Sequence, residues 1–390
     1  MGSRRPSGPA LDRRELLTAL GLCPLASLAG ASLLTRPAAA QTWNQRFLSS
    51  ALRSDGMNAA VLYDLQEGVL FETILPDRAH GPALSPDGSI VVMAARRPGR
   101  WAEVIDMGTG QTITRLSSPA KRHFYGHAVF SRDGRHVFTT ENHYEKAIGI
   151  IGIWETSNWQ RIGEWNSGGI GPHELVLSPD GTTLVVGNGG IQTHPDTGRE
   201  KLNLETMRPN LSYVSVQQGQ VLQRAEPPAK WFQCSLRHLD VTQDEDGTLL
   251  TIVGAQYEGP EQTVAPLIAL HRFGESLSFA PVAPELLQRL NHYCGSVRFT
   301  QNAESFAITS PRGGTVVFGS VFEALDNPDE LELESFAAND ICGLGARNNS
   351  ILLTTGTGDI LSEDMELGFD PYRLEKTRTR LQWDNHLLWV

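Results

Sequence analysis

The chain has 390 residues, and 44 acidic against 33 basic side chains give it a formal net charge of −11. A protein of this charge with no run of lysine or arginine is not expected to bind nucleic acid or an anionic membrane surface. It has four cysteines and no Cys-x-x-Cys pair, which excludes a disulfide scaffold, a zinc ribbon and covalently attached haem.

Residues 1–40 are predicted to be a targeting segment that is removed. Arg13-Arg14 leads into an apolar run over 16–34, and the segment ends at the small-residue site Ala38-Ala39-Ala40. These features match a twin-arginine signal, which exports a protein to the periplasm. The alternatives are a retained membrane anchor, disfavoured by polar and glycine residues in the run, and a lipoprotein signal at Cys23, disfavoured by the large residue before it. We therefore expect a periplasmic protein with no membrane insertion after cleavage.

A repeated turn organises the rest of the chain. Ser-x-Asp-Gly turns or close variants separate strand-like apolar runs, and weaker copies follow. Each turn predicts a β-hairpin, and the distance of 46 residues from Asp87 to Asp133 is typical of propeller blades. The turns, which predict six blades, lie at 85–88, 131–134, 178–181, 244–247, 302–304 and 348–350.

The two ends of the chain supply a seventh blade. Each repeat has four short strands rich in β-branched and aromatic residues, which predicts an all-β fold. Segments 46–53, 57–64 and 68–75 match the last three strands of a repeat, and 383–390 matches an innermost strand with nothing after it. We therefore predict that residues 41–390 form a single seven-bladed β-propeller. Its C-terminal strand, through Leu387, should pair with the N-terminal strand and close the ring.

Two insertions break the repeat, and the larger one covers residues 189–210. This segment is too long and too polar for an ordinary hairpin, and loops of this kind are functional or disordered. Gly189-Gly190 and Pro195 indicate a loop of defined shape, so we predict a functional role.

Several short segments carry residues that the propeller repeat does not require. They are Thr140-Glu141-Asn142-His143-Tyr144, Ile150-Ile151-Gly152-Ile153-Trp154, Gly169-Ile170-Gly171-Pro172-His173-Glu174-Leu175, Gly189-Gly190-Ile191-Gln192-Thr193-His194-Pro195, Arg237-His238, Ser310-Pro311-Arg312-Gly313-Gly314 and Asp384-Asn385-His386.

Together these segments resemble an uncharacterised domain-of-unknown-function family of twin-arginine-exported periplasmic proteins. The resemblance covers essentially the whole chain after the targeting segment. Genes of this family often lie beside those of imelysin-like and di-haem peroxidase-like periplasmic proteins linked to iron uptake. The resemblance therefore implies iron-related work with periplasmic iron-uptake proteins as partners, and it implies no catalytic residue.

Histidines recur just ahead of the predicted innermost strands. Imidazoles and thiols are ligands for transition metals, so the pattern predicts ligands around the propeller axis. The alternative is that each histidine only hydrogen-bonds neighbouring backbone where two blades meet. The residues at these matching points are His80, His127, His173, His238 and His386 in five blades, and Cys294 and Cys342 in the other two.

The spacing of the histidines argues against a complete ring. His80 and His173 precede the turn serine by five residues, whereas His127 and His238 precede the equivalent residue by four. Because strand side chains alternate between faces, the two pairs point in different directions unless a β-bulge restores the register.

We therefore expect a smaller site for a transition metal, iron or copper, with part of one propeller mouth around it. The predicted metal ligands are His127, His173, His238 and His386. The residues predicted to bind ligand around them are Glu141, Asn142, Glu174, His194, Arg237, Gln256 and Arg312, with His194 reaching in from the insertion.

The sequence favours binding over catalysis, because it has no Gly-x-Ser-x-Gly elbow, His-Glu-x-x-His helix or phosphate loop. We expect a periplasmic binding or accessory protein that handles a metal or metal complex on one propeller face. The alternatives are a metal-dependent propeller enzyme, redox or hydrolytic, in which Glu174 or Glu141 moves protons, and a protein-interaction platform. The matching positions of Cys294 and Cys342 in adjacent blades also suggest a disulfide.

Overall fold

The structure is a computed structural model. It describes residues 45–198, 200–300, 303–321, 331, 333–365 and 370–390, so the predicted targeting segment lies outside the described residues. Within these ranges, the strands form seven four-stranded antiparallel sheets arranged as the blades of a β-propeller. The predictions of an all-β class and of seven blades are confirmed.

Each blade is a meander in which the chain runs from the axis outward. Blade 1 contains β1 (Arg46–Leu52), β2 (Asn58–Asp64) and β3 (Gly68–Ile74); blade 2 contains β4 (Ala79–Leu84), β5 (Ile90–Ala95), β6 (Trp101–Asp106) and β7 (Thr112–Ser117); blade 3 contains β8 (Arg122–Phe130), β9 (His136–His143), β10 (Ile148–Glu155) and β11 (Gln160–Asn166); blade 4 contains β12 (Pro172–Leu177), β13 (Thr183–Asn188), β14 (Asn210–Ser215) and β15 (Val221–Ala225).

The remaining blades follow the same plan. Blade 5 contains β16 (Cys234–Gln243), β17 (Leu249–Tyr257), β18 (Ile268–Arg272) and β19 (Ser278–Phe279); the short helix α1 (Pro284–Arg289) leads to blade 6, with β20 (Ser296–Thr300), β21 (Ser305–Ser310), β22 (Thr315–Ser320) and β23 (Leu333–Ala337); blade 7 contains β24 (Ile341–Arg347), β25 (Ser350–Thr355), β26 (Asp359–Asp364) and β27 (Glu375–Arg378); β28 (Gln382–Trp389) returns to blade 1. Among the described residues, no helix has the length and apolar character needed to cross a lipid bilayer.

The C-terminal strand closes the ring as the sequence predicts. β28 pairs antiparallel with β1, and Leu387 lies opposite Ser49. Phe47 of β1 packs against Trp383 of β28, with 5.1 Å between the ring centroids. The innermost strands β28, β4, β8, β12, β16, β20 and β24 each contact those of the two adjacent blades. They therefore surround a common axis.

The repeated turn owes its sequence to a specific hydrogen-bond pattern. In blade 2, Ser85 Oγ donates to Asp87 Oδ1 over 2.6 Å and accepts from the backbone N–H of Ile90 over 2.9 Å. Gly88 follows at φ +73°, a conformation that favours glycine. Equivalent Ser–Asp bonds form in blades 3 and 4. The side chains thus fix each hairpin between an innermost strand and its neighbour.

The insertion between β13 and β14 has a defined shape where it leaves blade 4. Gly189 and Gly190 donate backbone hydrogen bonds of 2.8 Å to the carbonyls of Gly171 and Ile170. The Asn203 side chain then accepts from the backbone N–H of Gln192 and donates to the Gly190 carbonyl. These bonds hold the first part of the loop against the start of β12.

The suggested disulfide is absent, because all three described cysteines are free thiols. Cys294 lies 3.6 Å from the Leu267 carbonyl, and Cys342 lies 3.3 Å from the Trp383 carbonyl. Each thiol is therefore buried against the backbone of an adjacent blade.

Candidate metal centre

β-Bulges place the histidines on the axis. In β4, the two residues His80 and Gly81 lie opposite a single residue of β5. In β12, His173 is the extra residue in the pairing with β13. In β8, three residues ending at His127 face one residue of β9. His238 directly follows the bulge in β16, and His386 lies within the bulge of β28. The bulges give the five histidines a common direction, which is the exception that the sequence argument allowed, and the two cysteines at matching points are not in the ligand groups of the described residues.

The five imidazoles form a compact cluster with a clear shape. His80, His127 and His238 make a triangle with ring centroids 4.8, 6.1 and 6.2 Å apart. His386 caps one side at 4.5, 4.6 and 4.7 Å from these three rings. His173 caps the other side at 5.6 Å from His80, 5.6 Å from His127 and 4.7 Å from His238. The arrangement approaches a trigonal bipyramid.

Donor atoms in this cluster are close enough to share an ion. The groups His127–Glu174–His238–His386 and His80–His173–His238 each have one donor atom per residue, all within 4.8 Å of one another. Two nitrogens on opposite sides of an ion bound at about 2.1 Å lie roughly 4.2 Å apart. Small side-chain movements would therefore bring the nitrogens to bonding distance.

The imidazole nitrogens that face the centre are buried and have no hydrogen-bond partner among the described residues. Buried polar atoms are almost always satisfied, and an unsatisfied one costs about 1–3 kcal/mol. A common ligand could therefore take one nitrogen from each of the five rings, and the atoms without a partner are Nε2 of His80, His127, His173 and His238, and both ring nitrogens of His386.

Two buried carboxylates contact the Nδ1 atoms of three rings, which are the ring nitrogens other than Nε2. His238 Nδ1 donates to Glu174 Oε2 over 3.2 Å, and His127 Nδ1 lies 3.7 Å from Glu174 Oε1. His80 Nδ1 donates to Asp384 Oδ1 over 3.3 Å. A proton on Nδ1 leaves the lone pair on Nε2, so these contacts select the tautomer that can bind a metal.

The surroundings keep the rings neutral and Asp384 ionised. Burial lowers the pKa of His80 to about 3 despite the opposing hydrogen bond to Asp384. Burial also lowers the pKa of His173 and His386 well below the ordinary value, and neighbouring imidazoles add to the effect. Burial opposes ionisation of Asp384, but hydrogen bonds from His80 and Arg78 hold its pKa below the usual range. Neutral imidazole is the form that coordinates metals.

Three residues predicted to bind ligand lie apart from the cluster. Glu141 is buried in blade 3, where it accepts from Thr139 and pairs with Arg161. Asn142 Nδ2 lies 3.1 Å from a ring nitrogen of His123. His194 caps its own turn in the insertion, where its ring accepts from the backbone N–H of residue 196 over 3.2 Å. It does not reach the cluster.

The other predicted ligand-binding residues lie around the cluster rather than in it. Arg237 lines a narrow cleft that also contains His173, and it pairs with Glu258 over 2.8 Å. Gln256 and Arg312 line a wider cleft of about 660 Å³. Of the seven predicted residues, Glu174 alone is in a ligand cluster of the described chain.

Sequence reasoning missed Asp384, and it left His80 out of the smaller site. Asp384 lies two residues before His386 and pairs with Arg78, whose Nη2 donates to Asp384 Oδ1 over 2.9 Å. The triplet Asp384-Asn385-His386 was the available signal, because the first and third residues of a strand triplet lie on the same face.

The fold recurs in a protein of known structure. Hydrazine synthase from Kuenenia stuttgartiensis is similar with a TM-score of 0.57 and 13% sequence identity, over 85% of this chain and 94% of that chain. At this identity, the likeness concerns the propeller fold alone. A comparison with curated proteins gives no significant match. The model of the family described as "Protein of unknown function (DUF1513)" matches residues 73–390, and the chain therefore belongs to this family.

Proposed function

We propose that the protein binds one transition metal ion, iron or copper, on the propeller axis through the Nε2 atoms of its histidine cluster. The observation that carries the proposal is the convergence of five buried imidazole rings, each with a ring nitrogen that has no partner among the described residues. A neutral imidazole has one lone pair, so one cation can accept one lone pair from each ring, whereas a hydrogen-bonding ligand would need several donors in the same small space.

The donor set favours a borderline divalent ion. Imidazole nitrogens suit iron, copper, nickel and zinc, and hard ions such as calcium prefer oxygen. Glu174 and Asp384 supply two negative charges directly behind the rings, which offset a charge of +2 in a buried site. Iron also agrees with the iron-related role expected from the family resemblance, so we propose a binding or accessory protein in iron handling.

A metal-dependent enzyme is the second candidate. It is favoured by His173, which borders a cleft that leads to the cluster, so an exogenous molecule could reach a bound ion. No described side chain in this cleft is a carboxylate that could move protons. Turnover is therefore a separate question from metal binding.

Metal analysis tests the proposal directly. We expect protein purified from its native compartment to contain about one iron or copper ion per chain by mass spectrometry. Metal-free protein should rebind Fe²⁺ under anaerobic conditions or Cu²⁺ at the same stoichiometry. His238→Ala and His386→Ala should each weaken binding more than about 100-fold, since second-shell changes alone cost 10–100-fold.

His194→Gln is the matched control, because this histidine lies outside the cluster. It should bind metal like the wild type. His386 is buried and its ring nitrogens have no hydrogen bond within the described chain, so metal-free His386→Ala should still fold, and its unfolding temperature is compared with that of metal-free wild type to measure the effect of lost packing. Equal metal affinity of wild type and both cluster variants would overturn the proposal.

We also propose that this work takes place in the periplasm after twin-arginine export. The support is Arg13-Arg14 ahead of the apolar run and the small-residue site that follows it. Replacing both arginines with lysine should leave precursor in the cytoplasm, as measured by cell fractionation. Undiminished delivery of the lysine variant to the periplasm would contradict this route.

A further inference from the structure

Within the described part of the chain, a cleft reaches one residue of the histidine cluster. A narrow cleft reaches His173, while His80, His127, His238 and His386 are buried. His173 is also the ring that caps the cluster opposite His386. A molecule that enters the cleft would therefore contact His173, one of the rings of the cluster.

The walls of the cleft are cationic. Arg97 and Arg237 line it, and none of the described lining residues is a carboxylate. The nearby Glu258 pairs with both Arg237 and Lys201, so its negative charge is matched by two cations. Burial raises the pKa of Tyr125, and the charges of Arg97 and Arg237 oppose this effect. The cleft thus presents a positive potential to a ligand.

The cleft is also small. It holds about 20 Å³, and a cavity needs roughly 10–15 Å³ to hold one water molecule. Two glycines form part of the wall, and neither has room for a side chain to be added easily. A Cβ on Gly189 would lie 2.6 Å from Ser235 Oγ, and one on Gly171 would lie 3.1 Å from the Ile191 carbonyl. Only a ligand of a few atoms fits.

We infer that the metal has an exchangeable coordination position beside His173, in addition to the histidine ligands, and that this position takes a small anion admitted between Arg97 and Arg237. This inference rests on the proposed metal site and adds the class of its second ligand. The insertion predicted to be functional contributes here, because Ile191 and Thr193 form one wall of the cleft. A bulky chelated metal complex does not fit this route.

Azide is a suitable probe, because it is a small anion whose bond to Cu²⁺ gives a charge-transfer absorption band. Protein loaded with one Cu²⁺ per chain should show this band on azide titration. Arg97→Met removes the charge and keeps a side chain of similar length, so it should weaken azide binding about tenfold. The copper stoichiometry should not change, because Arg97 is outside the histidine cluster.

Arg135→Met is the matched control, since Arg135 is an exposed residue at the blade 3 hairpin and pairs with Asp133. It should bind azide like the wild type. Copper-loaded protein with no azide band, or with equal azide affinity in wild type and Arg97→Met, would overturn the inference and leave the metal site intact. Failure of the wild type to bind copper or iron would overturn the proposed function as well, and the metal stoichiometry distinguishes the two results.

Discussion

Asp384 connects the histidine cluster to the protein surface. Its carboxylate accepts from His80 on one side and from Arg78 on the other. Arg78 is partly exposed, whereas Asp384 and His80 are buried. The residue therefore fixes the tautomer of one ligand and carries a negative charge into the centre. We consider it a positioning residue rather than a ligand.

Asp384→Asn should weaken metal binding by about 10–100-fold, because second-shell partners tune ligand orientation and basicity to this extent. The measurement is competition with a chelator of known affinity. Arg78 loses its partner but can turn into solvent, so the fold should persist. Asp359→Asn removes a carboxylate from an ion pair with Arg378 on an outer strand and should leave metal affinity unchanged. An unchanged affinity in Asp384→Asn would contradict the assigned role.

The described cysteines should be unreactive in the folded protein. Burial raises the pKa of Cys234 and Cys294 to about 12, and it also raises that of Cys342. Unfolded thiols ionise near pH 8.5, so the stability gained from keeping these thiols protonated is complete below that pH. It declines as the pH rises toward 12.

At pH 8, iodoacetamide should therefore label none of these three cysteines in the native protein and all of them in concentrated urea. Peptide mass spectrometry identifies each site. Labelling of native Cys294 faster than global unfolding would show that its burial is incomplete.

At the scale of the strand, the sequence predicts the hairpins better than the bulges. The Ser-x-Asp-Gly turns have a local cause, because residues within five positions of each other in the chain form the bonds. The bulges depend on pairing with a neighbouring strand. The difference of one residue between the spacings of His80 and His127 from their turns therefore predicted opposite faces, and the bulges in β4 and β8 cancel it.

Glycines make these bulges compatible with the cluster. A Cβ on Gly81 would lie 2.7 Å from His127 Nδ1, and one on Gly126 would lie 2.5 Å from His80 Cβ. Each glycine thus makes room for the histidine of the adjacent blade. Gly126 also has φ +105°, which a residue with a side chain rarely adopts.

Gly81→Ala should displace the His127 ring without the added strain of a positive φ. We expect metal affinity to fall at least about tenfold, and overpacking to lower the free energy of unfolding by about 1–3 kcal/mol. Gly163→Ala is the control, because its Cβ would have its nearest neighbour at an ordinary 3.6 Å. Calorimetric metal titration and urea unfolding measure both effects. Wild-type metal affinity in Gly81→Ala would contradict the steric argument.

At the scale of the molecule, the fold was predictable because the repeat is encoded many times. The seven-bladed count, the closure and the position of Leu387 against β1 follow from matching segments across the chain. The candidate site was less predictable, since it depends on which residues converge from separate blades. His194 and Glu141 are polar and sit in unusual segments, yet nothing in the sequence shows that they point away from the axis.

Closure of the ring should dominate the stability of the protein. Leu387→Ala removes a buried side chain between blades 1 and 7 and should lower the free energy of unfolding by about 2–5 kcal/mol. Leu222→Ala on an exposed outer strand should cost little. Deletion of residues 383–390 should remove most of a typical free energy of unfolding of about 5–15 kcal/mol. Urea unfolding measures all three, and a deletion variant as stable as the wild type would contradict the closure.

The pairing of β28 with β1 also sets a time order for the nascent chain. The ribosome makes β1 first and β28 last, so the inner edge of β1 stays unpaired while the other six blades are synthesised. Asp384 and His386 arrive in that same final segment. Ring closure and completion of the ligand set are therefore one event, and a ribosome that stalls before residue 384 leaves a chain with both an open edge and an incomplete centre.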